Sequence, residues 1–280
     1  MMVTAIRRRF GTVALHTLLI VGGLLMMFPF VWMLLTAFKS EGQMIQDPLA
    51  WLPDPWRTDN FPDAFDAMPF GRAYWNSFYI AVITVVVTLL TASMAAYAFT
   101  RIEFPFSRSL FVVFLLTQMV PTQVTLVPLY VMLSKLGWID THLALILPAI
   151  ANPFAVFMMR QFIRAVPIEL EEAARLDGAN RWTIFTRIVL PNIKPGMAAL
   201  GIIVFLSSWN SFIYPLIFLN SEDKFTVPML LASFKGQHGG LDYGMLLAAS
   251  TISVVPMLIA FVIGQRKIIS SMAASGMGGR

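Results

Sequence analysis

The charged run EAARLDGANRW (residues 172–182) contains the side chains of this sequence best suited to specific polar contacts. It combines the carboxylates of Glu172 and Asp177 with two arginines, and Gly178 interrupts it. These groups donate and accept hydrogen bonds, but their arrangement contains neither a nucleophile beside a base nor a set of metal ligands. The residue types of this segment therefore argue against catalysis.

The rest of the chain offers no catalytic alternative. Its three histidines, His16, His142 and His238, are far apart in the sequence, cysteine is absent, and no G-x-x-x-x-G-K-[ST] phosphate-binding loop occurs. We therefore expect no catalytic residue, no metal site and no cofactor bound by this chain. The net charge of +5 does not indicate nucleic-acid binding, because the basic residues lie between apolar segments instead of clustering on one soluble face.

The segments on either side of the charged run, which must position it, are strongly apolar. Hydrophobic residues make up 58% of the chain and charged residues only 12%, whereas about a quarter of an ordinary soluble domain is charged. Six intervals contain no Asp, Glu, Lys or Arg, and each is long enough to cross a hydrocarbon core of about 30 Å as a helix. The intervals are 11–38, 73–100, 109–134, 141–159, 195–221 and 243–265. They predict an all-α polytopic membrane protein with six transmembrane helices.

Orientation follows from the basic residues. With a cytoplasmic N-terminus, most Lys and Arg residues fall on the cytoplasmic side, so both termini are expected there. The first outer loop, 39–72, is rich in proline and aromatic residues, which fits either an interfacial aromatic belt or a docking surface for an external partner. The charge-free spans disfavour a stand-alone ion-coupled carrier, because such proteins usually keep ionisable residues in the membrane.

The charged run lies in the largest cytoplasmic loop, residues 160–194. Pro167 suits the first turn of a helix, and Gly178 suits a C-terminal stop with positive φ. Asn180 can cap a second, amphipathic helix, which Pro191 is expected to end. From these features alone, an interfacial connector and a docking element for a cytoplasmic partner are equally acceptable interpretations.

The pattern E-A-A-x-x-D-G followed by I-x-L-P resembles the EAA loop of permease subunits in bacterial binding-protein-dependent ABC importers. The matching residues are Glu172, Ala173, Ala174, Asp177, Gly178, Ile188, Leu190 and Pro191. The stretches WNSFYIA (75–81), AAYAFTR (95–101) and SSWNSFIYPLIF (207–218) extend the resemblance along nearly the whole chain. The sequence is similar to the smaller, six-helix partner of maltose and glycerol-phosphate type permeases, which implies a type I ABC importer permease fold.

The resemblance also implies a location and a set of partners. The chain would lie in the bacterial cytoplasmic membrane with a second homologous permease, two copies of an ABC ATPase and an extracytoplasmic solute-binding protein. The ATPase would bind ATP and Mg. The first helix of the EAA loop would be a coupling helix, which docks on the ATPase. In it Glu172 and Asp177 would make polar contacts to the ATPase, Ala173 and Ala174 would form the face buried against it, and Gly178 would permit the turn. The tail, 270–280, would reach between the ATPase subunits.

A sugar path needs hydrogen-bonding groups where helices are interrupted. Gln118 and Gln123 flank Pro121, and both Pro121 and Pro128 are expected to break or kink the third interval. Trp209, Asn210 and Tyr214 are the corresponding residues of the fifth interval. Polar side chains in helix bundles also serve interhelical hydrogen bonding, so packing remains the alternative for both groups.

The expected function is that of a permease subunit that translocates a carbohydrate, either a sugar or a polyol. Two alternatives remain: an importer of glycerol-3-phosphate or a glycerophosphodiester, and a non-transporting membrane scaffold that binds cytoplasmic partners through its EAA-like loop.

Overall fold

Long apolar stretches without interior breaks form the longest helices of this protein. The computed structural model describes residues 2–237 and 243–277, and the side chains of 12–233 and 243–265. Its described part contains helices and turns but no strand. The helices are α1 (Met2–Thr36), α2 (Glu41–Gln46), α3 (Asn60–Ala67), α4 (Phe70–Arg101), α5 (Ser107–Leu116), α6 (Thr122–Lys135), α7 (Leu143–Ile146), α8 (Pro153–Arg164), α9 (Ile168–Leu176), α10 (Arg181–Ile184), α11 (Leu190–Asn192), α12 (Lys194–Trp209), α13 (Ile213–Phe218), α14 (Val227–Gln237) and α15 (Tyr243–Met277). The predicted all-α class is confirmed. The expected contact of the C-terminal tail lies outside the described side chains.

Several helices are long and apolar enough to span a membrane. Among the described residues three do so alone, and up to six spans result if each of three bent helix pairs counts as one. The single helices are Thr12–Thr36, Phe70–Arg101 and Tyr243–Gln265. The bent pairs are Ser107–Met119 with Thr122–Lys135 (101°), Leu143–Ile150 with Pro153–Arg164 (42°), and Arg181–Asn192 with Lys194–Trp209 (75°). Three single helices and three bent pairs are compatible with the six predicted transmembrane helices.

Proline accounts for the sharpest bend. Pro121 precedes α6 and separates it from the turn that ends at Met119, so the predicted break is confirmed. Pro128, in contrast, lies inside α6 without ending it.

The fifth interval was expected to be one helix, but it is divided. Helix α12 ends at Trp209, and α13 begins at Ile213. Pro215 has no N–H with which to bond the carbonyl of Ser211, so a continuous helix would lose a hydrogen bond at this point.

The chain forms two compact units. Residues 69–232 and 255–280 form the larger unit, and 1–68 with 233–254 form the other. In the larger unit α4 packs most extensively against α8 and α12. Its buried alanines Ala92 and Ala96 belong to the core cluster together with Met159 of α8 and Leu200 of α12. Small residues let helices approach closely, which is how helices associate where lipid is the solvent.

In the smaller unit, the chain after α1 folds around a buried lysine. Lys39 is 0% exposed; its Nζ donates to the carbonyl of Ala50 at 2.5 Å and lies 4.6 Å from the ring centroid of Trp32. Trp51 packs edge-on against Trp32 and is itself exposed. The loop 39–72 therefore holds exposed aromatic side chains next to a buried lysine.

Helix α6 has almost no partner within its own unit. Leu133 is its one buried residue, while Val124, Val127 and Val131 are exposed. An apolar helix of this kind needs lipid or another chain to cover it.

Candidate functional site

The segment 160–194 folds as two helices joined by a glycine turn. Pro167 directly precedes α9, and Gly178 follows its C-terminal end with φ +83°. The N–H of Gly178 donates to the carbonyl of Arg175, so the turn provides a hydrogen-bond donor for a carbonyl at the end of α9. The side chain of Asn180 accepts from the N–H of Thr183 at 2.8 Å and caps α10. The predicted turn at Gly178 and cap at Asn180 are both confirmed.

The prediction for Pro191 is confirmed to within one residue. The second helical segment, Arg181–Asn192, contains a π turn over Phe185–Val189 and ends one residue after Pro191, where the chain bends by 75° into α12.

Most residues that match the EAA pattern face outward. Glu172, Ala173, Asp177 and Gly178 are exposed, whereas Ala174 is half-buried and packs against the core. Leu176 lies beside them and is 91% exposed. The sequence analysis did not single out Leu176, although a large apolar residue in a charged helix is itself a signal for a contact surface. We call Glu172, Ala173, Leu176, Asp177 and Gly178 the coupling surface.

Glu171, the neighbour of Glu172, points the other way. It is 0% exposed, and its Oε1 accepts from Nε of Arg101 at 2.6 Å. A second nitrogen of Arg101 donates to the carbonyls of Ile163 at 3.0 Å and Val166 at 2.6 Å. Sequence reasoning missed this pair; the signal available was the arginine that directly follows the charge-free interval 73–100, because a buried charge requires a partner.

A cavity of about 630 Å³ lies in the larger unit, between α4, α8 and α12 and the breaks before α6 and α13. Its polar lining consists of hydroxyl and amide side chains, and none of its lining residues is Asp, Glu, Lys, Arg or His. The polar members are Ser77, Thr84, Thr88, Thr117, Gln118, Thr122, Thr125, Asn152, Ser207, Ser208, Ser211, Tyr214 and Thr226. Such a lining can hydrogen-bond an uncharged polar ligand.

The structure brings together some of the predicted path residues. Gln118 and Tyr214 line the cavity, whereas Gln123, Trp209 and Asn210 are not part of its lining. Sequence reasoning missed the hydroxyls of α4. Ser77, Thr84 and Thr88 recur at helical spacing on one face, which is the signal that could have identified them.

Trp209 and Asn210 lie at the end of α12. Trp209 is 2% exposed, with its ring stacked on Phe205 at a centroid distance of 5.9 Å and edge-on to Tyr74 at 5.2 Å. Nδ2 of Asn210 donates to the carbonyl of Leu206 at 2.9 Å, one turn earlier. This geometry favours the packing alternative for Trp209 and a helix-terminating bond for Asn210.

Between α6 and α7, one carboxylate clamps the segment that follows α13. Oδ1 of Asp140 accepts from the N–H groups of Asn220 and Ser221, and Oδ2 accepts from Oγ of Ser221 at 2.5 Å and Nζ of Lys224 at 2.9 Å. The hydrogen bond from Lys224, followed by those from Ser221 and the backbone, holds the pKa of Asp140 well below its usual value.

Comparison with known proteins identifies the family. Residues 88–269 match the family described as "Binding-protein-dependent transport system inner membrane component". The permease protein NgcG of the diacetylchitobiose uptake system of Streptomyces coelicolor is 35% identical over 95% of this chain and 88% of its own length. The lactose transport system permease LacG of Rhizobium radiobacter is 32% identical over 98% and 99%. The arabinooligosaccharides transport system permease AraQ of Halalkalibacterium halodurans is 36% identical over 90% and 91%.

A solved structure supports the same fold. A chain of a bacterial ABC transporter involved in the import of the acidic polysaccharide alginate superimposes with a TM-score of 0.82 at 22% identity, covering 92% of this chain and 96% of that one. The family and fold expected from the EAA pattern are thereby confirmed. This chain belongs to the inner-membrane permease components of binding-protein-dependent ABC transport systems.

Proposed function

We propose that this chain is the membrane-spanning subunit of an importer for a neutral carbohydrate. The substrate would be delivered by an extracytoplasmic binding protein, and ATP hydrolysis in a separate subunit would drive its passage. The names of three relatives, for diacetylchitobiose, lactose and arabinooligosaccharides, support a carbohydrate.

The observation that carries this proposal is the uncharged polar lining of the cavity. Sugar hydroxyls need donors and acceptors, which the serine, threonine, glutamine and tyrosine side chains of the lining supply. A phosphate ester is normally bound through Arg or Lys, and neither occurs in this lining. The cavity therefore favours a carbohydrate over glycerol-3-phosphate or a glycerophosphodiester. A scaffold without transport would have no use for it.

The coupling surface supports an ATPase as cytoplasmic partner. In this assignment Glu172 and Asp177 make the polar contacts and Ala173 packs against the ATPase, whereas Ala174, which was expected to share that face, packs against the core of this chain. The ATPase alone binds ATP and Mg. The exposed apolar surface of α6 supports the proposal that a second homologous permease covers it. Each of the two permeases would contact one ATPase, so two ATPase copies are expected. A cytoplasmic coupling surface also requires both termini on the cytoplasmic side.

The proposal is tested by uptake in the bacterium that carries the gene. Cells with and without the gene, and deleted cells that carry a plasmid copy, are given labelled lactose, diacetylchitobiose, an arabino-oligosaccharide and glycerol-3-phosphate. We expect deletion to abolish uptake of at least one neutral carbohydrate and the plasmid to restore it. Loss of glycerol-3-phosphate uptake alone would overturn the substrate class.

A further inference from the structure

The two adjacent carboxylates of α9 have separate tasks. Glu172 is exposed on the coupling surface, whereas Glu171 is fully buried against Arg101. We propose that Arg101 and Glu171 are a positioning pair that transmits movement of α9 to the helices that wall the cavity. The proposal rests on the function proposed above, because it assumes that an ATPase moves α9.

Arg101 connects three elements at one point. It is the last residue of α4, it ion-pairs with Glu171 of α9, and it donates to the carbonyl of Ile163 in α8. A further bond reaches the carbonyl of Val166, in the short connection between α8 and α9. A displacement of α9 at Glu171 is therefore applied directly to the ends of both α4 and α8.

The pair resists separation because it is buried. Oε2 of Glu171 is buried and has no hydrogen-bond partner among the described residues, so Arg101 supplies the charge compensation for this carboxylate. Separating the two groups would leave a charge in a medium of low dielectric constant, which is strongly unfavourable. The surrounding helices are thus expected to move together with α9.

Both helices joined by Arg101 reach the cavity. Thr84 and Thr88 of α4 line it, as do Asn152 and Phe154 at the beginning of α8. At about 1.5 Å per residue, Thr88 lies roughly 20 Å along α4 from Arg101. Helices of this length are stiff enough to carry a displacement from the cytoplasmic end to the lining.

The test uses the assembled transporter, with this chain, its partner permease and the ATPase in a cysteine-free form. Ala151 is exposed, lines the cavity and precedes α8, so Ala151→Cys provides a reporter for a thiol reagent. Labelling rates are measured with and without ATP in three backgrounds: wild type, Glu171→Gln, and Glu169→Gln, which changes an exposed carboxylate of the same helix. ATP hydrolysis and the amount of recovered complex are measured on the same samples.

We expect ATP to change the labelling rate about fivefold or more in the wild-type and Glu169→Gln backgrounds, and to leave it nearly constant in Glu171→Gln while hydrolysis continues. An ATP-dependent change of normal size in Glu171→Gln overturns the proposal. A lower recovery of the Glu171→Gln complex together with a normal ATP-dependent labelling change also overturns the proposal, since it indicates that Glu171 has a structural role only. If Glu171→Gln does not assemble, Glu171→Asp, which keeps the charge but shortens its reach, decides by the same criteria. Since labelling requires no substrate, failure of carbohydrate uptake in the wild type would be a separate result.

Discussion

Gly196 at the beginning of α12 lies directly against the ring of Phe162 in α8. A Cβ built on Gly196 would approach three atoms of this ring to less than 3.0 Å. The close approach of α8 and α12 at this level therefore depends on the absence of a side chain.

We expect Gly196→Ala to destabilise the protein by about 1–3 kcal/mol, because the added methyl group must displace Phe162 or separate the helices. Gly71→Ala is the control, since apart from the neighbouring backbone nothing lies within 4 Å of the position of its Cβ and alanine favours the helix. Thermal unfolding midpoints of the purified proteins in one detergent measure the difference. Equal midpoints for the two variants would contradict the packing.

Gly178 and Gly137 form a second matched pair. Both have positive φ, +83° and +69°, and both have open space around the position of a Cβ. Gly178→Leu and Gly137→Leu should each cost about 1 kcal/mol of backbone strain. Only Gly178→Leu should also lose ATPase association and transport, because its side chain projects into the coupling surface.

Co-purification of the ATPase with each variant provides the measurement, together with uptake and the amount of inserted chain. Equal loss of ATPase binding in both variants would show that backbone strain alone explains the effect.

Variants of Gln118 and Trp209 distinguish a role in the substrate path from a role in packing. Gln118→Ala removes a polar group of the cavity lining, so we expect uptake to fall about five- to thirty-fold, equivalent to about 1–2 kcal/mol, with normal complex recovery. Trp209→Ala removes a buried ring and should cost about 3–5 kcal/mol of stability, so little complex should be recovered.

Uptake and recovered complex, measured on the same membranes, distinguish these outcomes. Gln123→Ala is the control for Gln118, since it changes the same side-chain type outside the lining. A fall in uptake as large as that of Gln118→Ala would extend the path to the exposed side of α6.

The clamp at Asp140 predicts an acid-dependent stability difference. Its pKa is lowered in the folded protein, so its contribution is complete above the unfolded-state value of about 3.9 and declines as the pH falls below it. Asp140→Asn should therefore unfold at a lower temperature than wild type near neutral pH, and this difference should shrink below about pH 4.

Thermal midpoints of both proteins over this pH range provide the test. Asp223→Asn, at an exposed position of the clamped segment, serves as the control. A difference that stays constant to low pH would show that Asp140 contributes through shape rather than charge.

Orientation is tested with single cysteines, because the natural chain contains none. Glu41 and Arg187 are both exposed, the first in the loop 39–72 and the second in the segment 160–194, so each can be replaced by cysteine. In intact cells an impermeant maleimide should label the first and leave the second unreacted until the cells are opened. The reverse pattern would place the coupling surface on the side opposite to any ATPase.

Local signals were sufficient for part of this structure. Gly178, Asn180 and Pro121 act on the backbone within a few residues, so their turn, cap and break could be predicted from sequence neighbours. The division between α12 and α13 depends on Pro215, whose effect was overlooked in a long apolar run.

Contacts between distant residues could not be predicted in this way. Arg101 and Glu171 are separated by 70 positions, and their pairing follows from the packing of α4 against α8. The cavity likewise combines hydroxyl groups from helices that are far apart in the chain. Only the residues near the helix breaks could therefore be predicted as part of the substrate path.

The exposed helix α6 has a consequence for biogenesis. A chain synthesised without its partner would present Gln123 to lipid, next to the exposed apolar side chains of Val124 and Val127. Polar groups that lipid cannot satisfy are costly in the bilayer, so we expect a subunit without its partner to be degraded. The cellular amount of this chain should therefore follow the dosage of the partner gene rather than its own, as pulse-chase labelling in partner-deleted cells would reveal.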